Sequence, residues 1–486
     1  MGSQCILPPE VISHILSFLS PREVVRLRVI SNQFYDITYD RAIWTSFYRN
    51  ARLPRPPGPF PSQAIQFLDH TLVQSERLAH SWTTQPMEDI SSVAIRTDIQ
   101  ILDFYAIVYG KWFIGCERFH TVKVVAYDLD SDAGSHPYQL LWEYDVPKGF
   151  CDACPVVSSS GLLIHVLFNE YTADGQSWKL LEFRVDGNSL HHTLTLDIPP
   201  KLLEFAGYMK IHGGHSPFFY LKSACQNLVF DAETRSFYGF PPFKSELTTI
   251  IEPTMFHVVL TKTHIISFFP FCTDPPEAPS TLVQAFTIPA DSQLDNGIGI
   301  LRLSHEGFIP NHDSVKNADL IRNSIVDAES GAINIRFLHQ FFDDNVEDEL
   351  HISCIDLTLP KHSSTDVVLP VTTDLQEIAR VRVPHGSSAN LERYVDFSDD
   401  GHVRGFYHFS RPRGGFRWWS ANHFIMRFAI DASRDNCVAD LGLILVPRWR
   451  QARNIWFDGV RGRVCYDRNF TEGADGLEAA LVVNIK

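Results

Sequence analysis

Two periodicities divide this chain. Val11, Ile12, Ile15, Leu16 and Leu19 recur at helical spacing and form one broad apolar stripe. Pro8 suits a first helical turn, where a missing N–H leaves nothing unpaired. Ser20-Pro21-Arg22-Glu23 reads as a capping box that ends this helix and opens a second, with Val24, Val25, Leu27 and Val29 along it. Ser31 then caps a short third helix bearing Phe34 and Ile37, and Asp40 a fourth carrying Ile43, Trp44, Phe47 and Tyr48. So small a unit has more apolar surface than it can bury alone, and the pattern predicts a partner.

Residues 53–61 hold five prolines, which predicts a stiff, extended spacer holding the helices away from the rest of the chain. Ser62 opens one more helical stretch with Ile65, Leu68 and Leu72. From about Leu78 the period shortens to that of strands, broken by Gly, Pro, Asn and Asp turns.

One strand-like run recurs seven times, at 122–128, 179–186, 227–231, 281–286, 351–356, 424–431 and 480–485, and five copies end in Asp. A second run comes after each of the first six, at 138–146, 189–198, 235–240, 299–304, 366–371 and 438–446. This spacing predicts a seven-bladed β-propeller. The last blade then lacks an outer strand, and Leu78–Thr83 is its expected donor. A pair of β-sandwiches or a β-solenoid fits the same pattern less well. The predicted organisation is a helical domain over 1–52, a proline-rich spacer and helix over 53–77, and a mostly-β domain over 78–486.

The order Leu7-Pro8-x-Glu10-Val11, Ile15-Leu16, Leu19, Pro21, Val24-Val25-x-Leu27, Ile30-Ser31, Phe34, Ile37 and Ile43-Trp44 resembles an F-box. Val29 stands where many members have Cys or Leu. The resemblance implies docking to a Skp-type adaptor, and through it to a cullin-RING ubiquitin ligase. The residues it assigns to adaptor docking are Leu7, Pro8, Val11, Ile12, Ile15, Leu16, Leu19, Val24, Leu27 and Trp44, some of which must instead form the domain's own core. The whole layout resembles the F-box proteins abundant in mushroom-forming fungi.

Composition narrows the partners. Hydrophobic residues at 44% and charged residues at 20% describe a globular chain. The net charge of −15 argues against general nucleic-acid binding. Residues 1–53 have six arginines against Glu10, Glu23, Asp36 and Asp40, a net +2, so the remainder has −17. Nine dispersed cysteines, with no signal-like segment and no apolar run long enough for a membrane span, are expected of a cytoplasmic or nuclear protein. Met1-Gly2 lacks the Ser or Thr that myristoylation wants at position six.

Candidate chemistry is sparse. Cys151-Asp152-Ala153-Cys154 has metal or redox spacing but no second ligand pair. His212-Gly213-Gly214-His215 reads as a tight turn, since no G-x-S-x-G elbow accompanies it. Gly297-Ile298-Gly299 lacks the third glycine of a dinucleotide site. The acidic run 343–349 reads as a solvated loop, or a dock for basic segments. Arg417, Trp418 and Trp419, with Arg448, Trp449 and Arg450, mix the residue types that anchor interfaces, and are the candidate substrate-recognition residues. Neither a cofactor nor a metal is expected. The predicted function is substrate recognition for the ligase; the alternatives are a propeller-fold hydrolase or lyase with an N-terminal interaction module, and an F-box scaffold outside the ligase.

Overall fold

The computed structural model describes residues 7–56, 58–82, 92–94, 100–118, 122–130, 139–146, 151–158, 160–172, 175–186, 189–198, 210–215, 217–222, 227–241, 257–271, 280–288, 298–310, 318–342, 349–361, 367–383, 391–397, 402–411, 422–431, 438–445, 452–468 and 481–484. Five helices come first: α1 (Pro9–Leu16), α2 (Pro21–Leu27), α3 (Asn32–Thr38), α4 (Arg41–Asn50) and α5 (Ile65–Ser81). Their starts obey the local chemistry. Ser20 accepts from the Glu23 backbone N–H while Glu23 returns a bond to the Ser20 N–H, so the capping box is complete. Those bonds hold the Glu23 carboxyl below its ordinary range. Ser31 caps α3 through the Phe34 N–H, and Asp40 caps α4 through the Ala42 N–H.

The described strands fall into seven sheets. β1 (Ser92–Ala94) precedes the first of them, which comprises β2 (Gln100–Val108), β3 (Trp112–Arg118), β4 (Val122–Asp128) and β5 (Gln139–Val146). The second comprises β6 (Cys151–Val157), β7 (Leu163–Thr172), β8 (Gly175–Asp186) and β9 (Ser189–Ile198). The third has β10 (Lys210–His215), β11 (Phe218–Lys222), β12 (Asn227–Asp231) and β13 (Ser236–Gly239). In the fourth are β14 (His257–Leu260), β15 (Ile265–Phe271) and β16 (Ser280–Thr287), then, after β17 (Ile298–Ile300), β18 (Arg302–Pro310). The fifth has β19 (Ala318–Val326), β20 (Ile333–Phe342) and β21 (Glu349–Leu359), then, after β22 (Leu369–Pro370), β23 (Thr372–Arg382). The sixth is β24 (Leu391–Phe397), β25 (His402–Arg411), β26 (Asn422–Asp431) and β27 (Val438–Leu445). The seventh is β28 (Ala452–Asp458), β29 (Arg463–Arg468), β30 (Leu481–Asn484) and β1.

Every copy of the recurring run is the third strand of its sheet. The terminal Asp has a structural partner in several: Lys111 lies 3.4 Å from Asp128, Arg336 grips Asp356 at 2.5 and 2.7 Å, and Asp231 accepts from the Glu233 and Thr234 backbone. Successive sheets lie side by side. β2 touches β6, β6 touches β10, β11 touches β14, β14 touches β19, β19 touches β24, β24 touches β28, and β28 touches β2. Apolar clusters fill the gaps, such as Ile164, Val166 and Phe183 against Val124 and Trp112, and Phe337 and Leu357 against Phe268 and Val283.

Four expectations are corrected. Leu78–Thr83 does not supply the closing strand, because α5 runs on to Ser81 and Trp82 caps it. Leu68, Leu72, Ser75 and Leu78 keep helical spacing and are all buried, so packing overrides the local strand-like composition. The strand that completes the seventh sheet is β1, antiparallel to β30 with Ser92 opposite Val483. Residues 366–371 were expected to be an outer strand of the fifth sheet. Instead β22 pairs in parallel with β18 of the fourth, and β23 takes the fifth sheet's outer place. His212–His215 is no turn but part of β10, which carries a bulge between Ile211 and Gly213.

The fourth correction is the spacer, which does not stand off. Pro54 and Pro56 are buried, and their carbonyls accept from Ser75 Oγ at 2.6 Å and Tyr48 Oη at 2.7 Å. Arg41 donates to the Phe60 and Gln63 carbonyls. Prolines lack a donor but keep an acceptor, so the strap is stitched down through its oxygens.

The first and seventh sheets are joined by charge. Arg461 and Arg463 both pair with Asp130, the latter at 2.8 Å, and Arg463 also donates to the Gly110 carbonyl. Burial by itself raises the Asp130 carboxyl, but the two guanidiniums outweigh it and hold the group below its ordinary value. A depressed carboxyl contributes stability above its unfolded value of about 3.9 and loses it as pH falls towards the folded one. The thermal midpoint of the native chain should therefore drop in that acid window, and Asp130→Asn should flatten the drop. Gly110, at φ +63°, leaves no room beside this seam: a Cβ would lie 2.6 Å from Arg461 Cγ and Asp458 Oδ1. Gly110→Ala should destabilise by about 1–3 kcal/mol in denaturant unfolding.

Candidate adaptor-binding surface

The helical unit divides its apolar residues between a core and a face. Ile12, Leu16, Val24, Ile43, Trp44 and Tyr48 are buried together with Leu68 and Leu72 of α5. Leu19 and Leu27 are half-buried and pack on that core. Trp44 Nε1 donates to the Thr38 carbonyl at 2.6 Å. Arg28 braces the unit from below: its guanidinium pairs with Asp69 at 2.8 Å and lies 4.3 Å over the Tyr39 ring. Burial raises the Tyr48 phenol, whose hydroxyl is held by the Pro56 carbonyl.

Outside this core lies a second apolar set. Leu7, Val11 and Ile15 are about two-fifths exposed and Phe18 is 75% exposed; Val29 and Ile30, between α2 and α3, and Tyr35 of α3 are exposed as well. Of the ten residues assigned to docking, the structure leaves Leu7, Pro8, Val11 and Ile15 open and puts Ile12, Leu16, Val24 and Trp44 inside. Sequence reasoning missed Phe18, Val29, Ile30 and Tyr35. Phe18 was legible as the next step of the Val11–Ile15 line; Val29 and Ile30 come after the last turn of α2, where periodicity gives no side.

The helices are fixed to the sheets through α5. Trp82 Nε1 donates to the Phe428 carbonyl at 2.9 Å, and its ring stacks on Phe457 with Arg427 over it at 5.3 Å. Burial pushes the Arg427 guanidinium down to about 10. Arg404, buried, donates to the Ser75 and Gly459 carbonyls at 2.6 and 2.8 Å. The turns at Tyr109–Gly110, Gly161 and Arg461 line a cleft with Pro56, Phe60 and Phe67, so the helices sit on the side of the sheets where first and second strands meet.

Arg417, Trp418 and Trp419 lie outside the described residues, as do Arg448, Trp449 and Arg450 and residues 343–348. The strand ends flanking the two Arg/Trp segments, Arg411 with Asn422 and Leu445 with Ala452, are at the opposite ends of their strands from Arg404, Phe428 and Asp458. Cys151 and Cys154 occupy one regular strand, β6, and positions three apart on such a strand fall on opposite faces. Among the described residues no group of three His, Cys, Asp or Glu side chains is placed to hold a metal, and no helix is long and apolar enough to cross a membrane.

Residues 4–50 match the F-box-like family model. The first four helices are thus an F-box-like domain, and F-box domains in general bind Skp-type adaptors. No curated protein matches the chain. A crystal structure of Chaetomium thermophilum Raptor superposes with a TM-score of 0.38 at 9% identity, over 98% of this chain and 38% of that one. The chain thus spans well under half of that protein's length.

Proposed function

We propose that this chain is the substrate-recognition subunit of a Skp–cullin–F-box ubiquitin ligase. The observation that carries the proposal is the open apolar line of Val11, Ile15 and Phe18, with further exposed apolar residues up to Tyr35, on a domain that already has its own core. Val11, Ile15 and Phe18 recur at helical spacing along one side of α1 and its end, and an apolar line left open in this way is an interaction surface by default; here the family match names the class of partner. The seven laterally joined sheets, whose cycle of contacts returns to its start, support a seven-bladed propeller as the recognition body. Substrate would meet it on the side away from the helices, where the strand ends flanking the Arg/Trp segments lie. The chain itself would do no chemistry; ubiquitin transfer would come from its partners.

Reconstitution tests this. Mixed with a Skp-type adaptor and a cullin–RING core, the chain should elute with both as one complex. Elution with the adaptor alone would favour a scaffold outside the ligase, and elution alone would overturn the proposal.

A further inference from the structure

The outer edge of the second sheet has a counterpart elsewhere in the molecule that shows what such an edge accepts. In the fourth sheet, the outer strand β18 carries a one-residue bulge at Ser304, between the pairs Ala285–His305 and Phe286–Leu303. Immediately after that bulge β22 adds as a fifth strand, parallel, with Leu369 opposite His305 and Pro370 opposite Glu306. The Val371 N–H donates to the Glu306 carbonyl at 2.9 Å, so the backbone of Glu306 faces outward. The third sheet is extended the same way, by β17 parallel to β13.

β9 repeats the bulge with no described strand added to it. Its pairs are Glu182–Leu194 and Phe183–His192, leaving Thr193 as the extra residue. Leu194 and Thr195 therefore stand where His305 and Glu306 stand. No described strand pairs with the outer side of β9. Bulges and charges are the usual protection of such edges: β5 carries two charges after its bulge, Glu143 and Asp145, and β23 two, Arg380 and Arg382, whereas β18, which β22 covers, carries Glu306 alone. From Leu194 to Ile198 the one charge is likewise a single carboxylate, Asp197, which pairs with Lys179.

Beside this edge lies a ring platform. Trp142, half-buried, stacks on His192 at 5.0 Å and on Tyr144 at 6.2 Å, with Phe183 edge-on beneath it at 5.1 Å. His192 is exposed and its Nε2 lies 2.9 Å from Thr195 Oγ1, which ties the platform to the edge. Apolar side chains gain area on such rings with little loss of rotamer freedom.

We propose that β9, from Leu194 to Ile198, receives an extended, uncharged segment of a bound protein as a fifth strand parallel to it, with an apolar side chain laid on the Trp142 ring. This deepens the substrate-recognition reading and rests on it: main-chain pairing would give affinity and the platform would give preference.

The probe is a fluorescently labelled peptide with the sequence of residues 367–373, the chain's own β22 region, titrated into the full-length protein with its adaptor. Saturable binding is expected. Thr195→Pro removes an outward N–H without touching the β8–β9 ladder, and should weaken binding about tenfold or more. Trp142→Ala should also weaken it. Thr195→Val keeps the N–H and should bind as the native chain does, with all three variants checked for an unchanged β-sheet spectrum. No saturable binding, or binding indifferent to Thr195→Pro, overturns the inference. Loss of adaptor co-elution with peptide binding intact would count against the ligase reading alone.

Discussion

Ile15→Asp combined with Phe18→Asp is expected to abolish co-elution with a Skp-type adaptor while leaving the fold as it was. Both side chains are open to solvent, at 44% and 75% exposure, and surface changes of this kind shift stability by about 0.5 kcal/mol or less. At an interface the same two changes remove apolar anchors and oblige two carboxylates to lose water without a partner. That combination should weaken binding by about a hundredfold or more. Leu16→Asp is the contrasting variant. Leu16 is fully buried among Ile12, Val24 and Trp44, so an unpaired carboxylate there should unfold the helical domain. Circular dichroism and gel filtration separate the outcomes: a folded double variant that still binds adaptor would refute the division of face from core.

Trp82→Ala should produce the largest loss of stability. The side chain is fully buried, stacked on Phe457, roofed by Arg427 and bonded to the Phe428 carbonyl. Truncation leaves a cavity at the junction of helices and sheets, with a typical cost of about 3–5 kcal/mol. It also uncovers a buried guanidinium, which adds to the cost. The effect should be read in denaturant unfolding, and in limited proteolysis of the junction around residue 82. If helices and sheets unfold at one midpoint in the native chain and at two in the variant, α5 is the element that makes them one cooperative body. A single, unshifted midpoint would remove that role from Trp82.

Much was legible because it is local. The capping box at Ser20–Glu23, the caps at Ser31 and Asp40, and the seven recurring runs all depend on neighbours within a few residues, and within the described residues all appear where the sequence puts them. The runs at 122–128 and 227–231 match β4 and β12 residue for residue. The misreadings share a different cause. The stretch from Leu78 looked like a strand, but the buried contacts of Leu78 and Trp82 keep α5 helical to Ser81. The proline strap looked like a free spacer because its bonds run through carbonyls to Tyr48 and Ser75, and a sequence does not show which acceptors are taken. β22 crosses to a neighbouring sheet, which no local period records.

The amino-acid sequence alone determined that four short helices, the last three with side-chain caps, precede a repeated β body, and which apolar residues those helices carry. Periods of 3.6 and 2, with the caps and turns between them, are properties of short segments. Only the tertiary structure decided which apolar residues are core and which are face, because one side of the stripe joins a cluster built by α2, α4 and the sequence-distant α5, and the other side stays open. Ile12 and Leu16 went inward, into one cluster with Leu68 and Leu72, and Val11, Ile15 and Phe18 were left open to solvent.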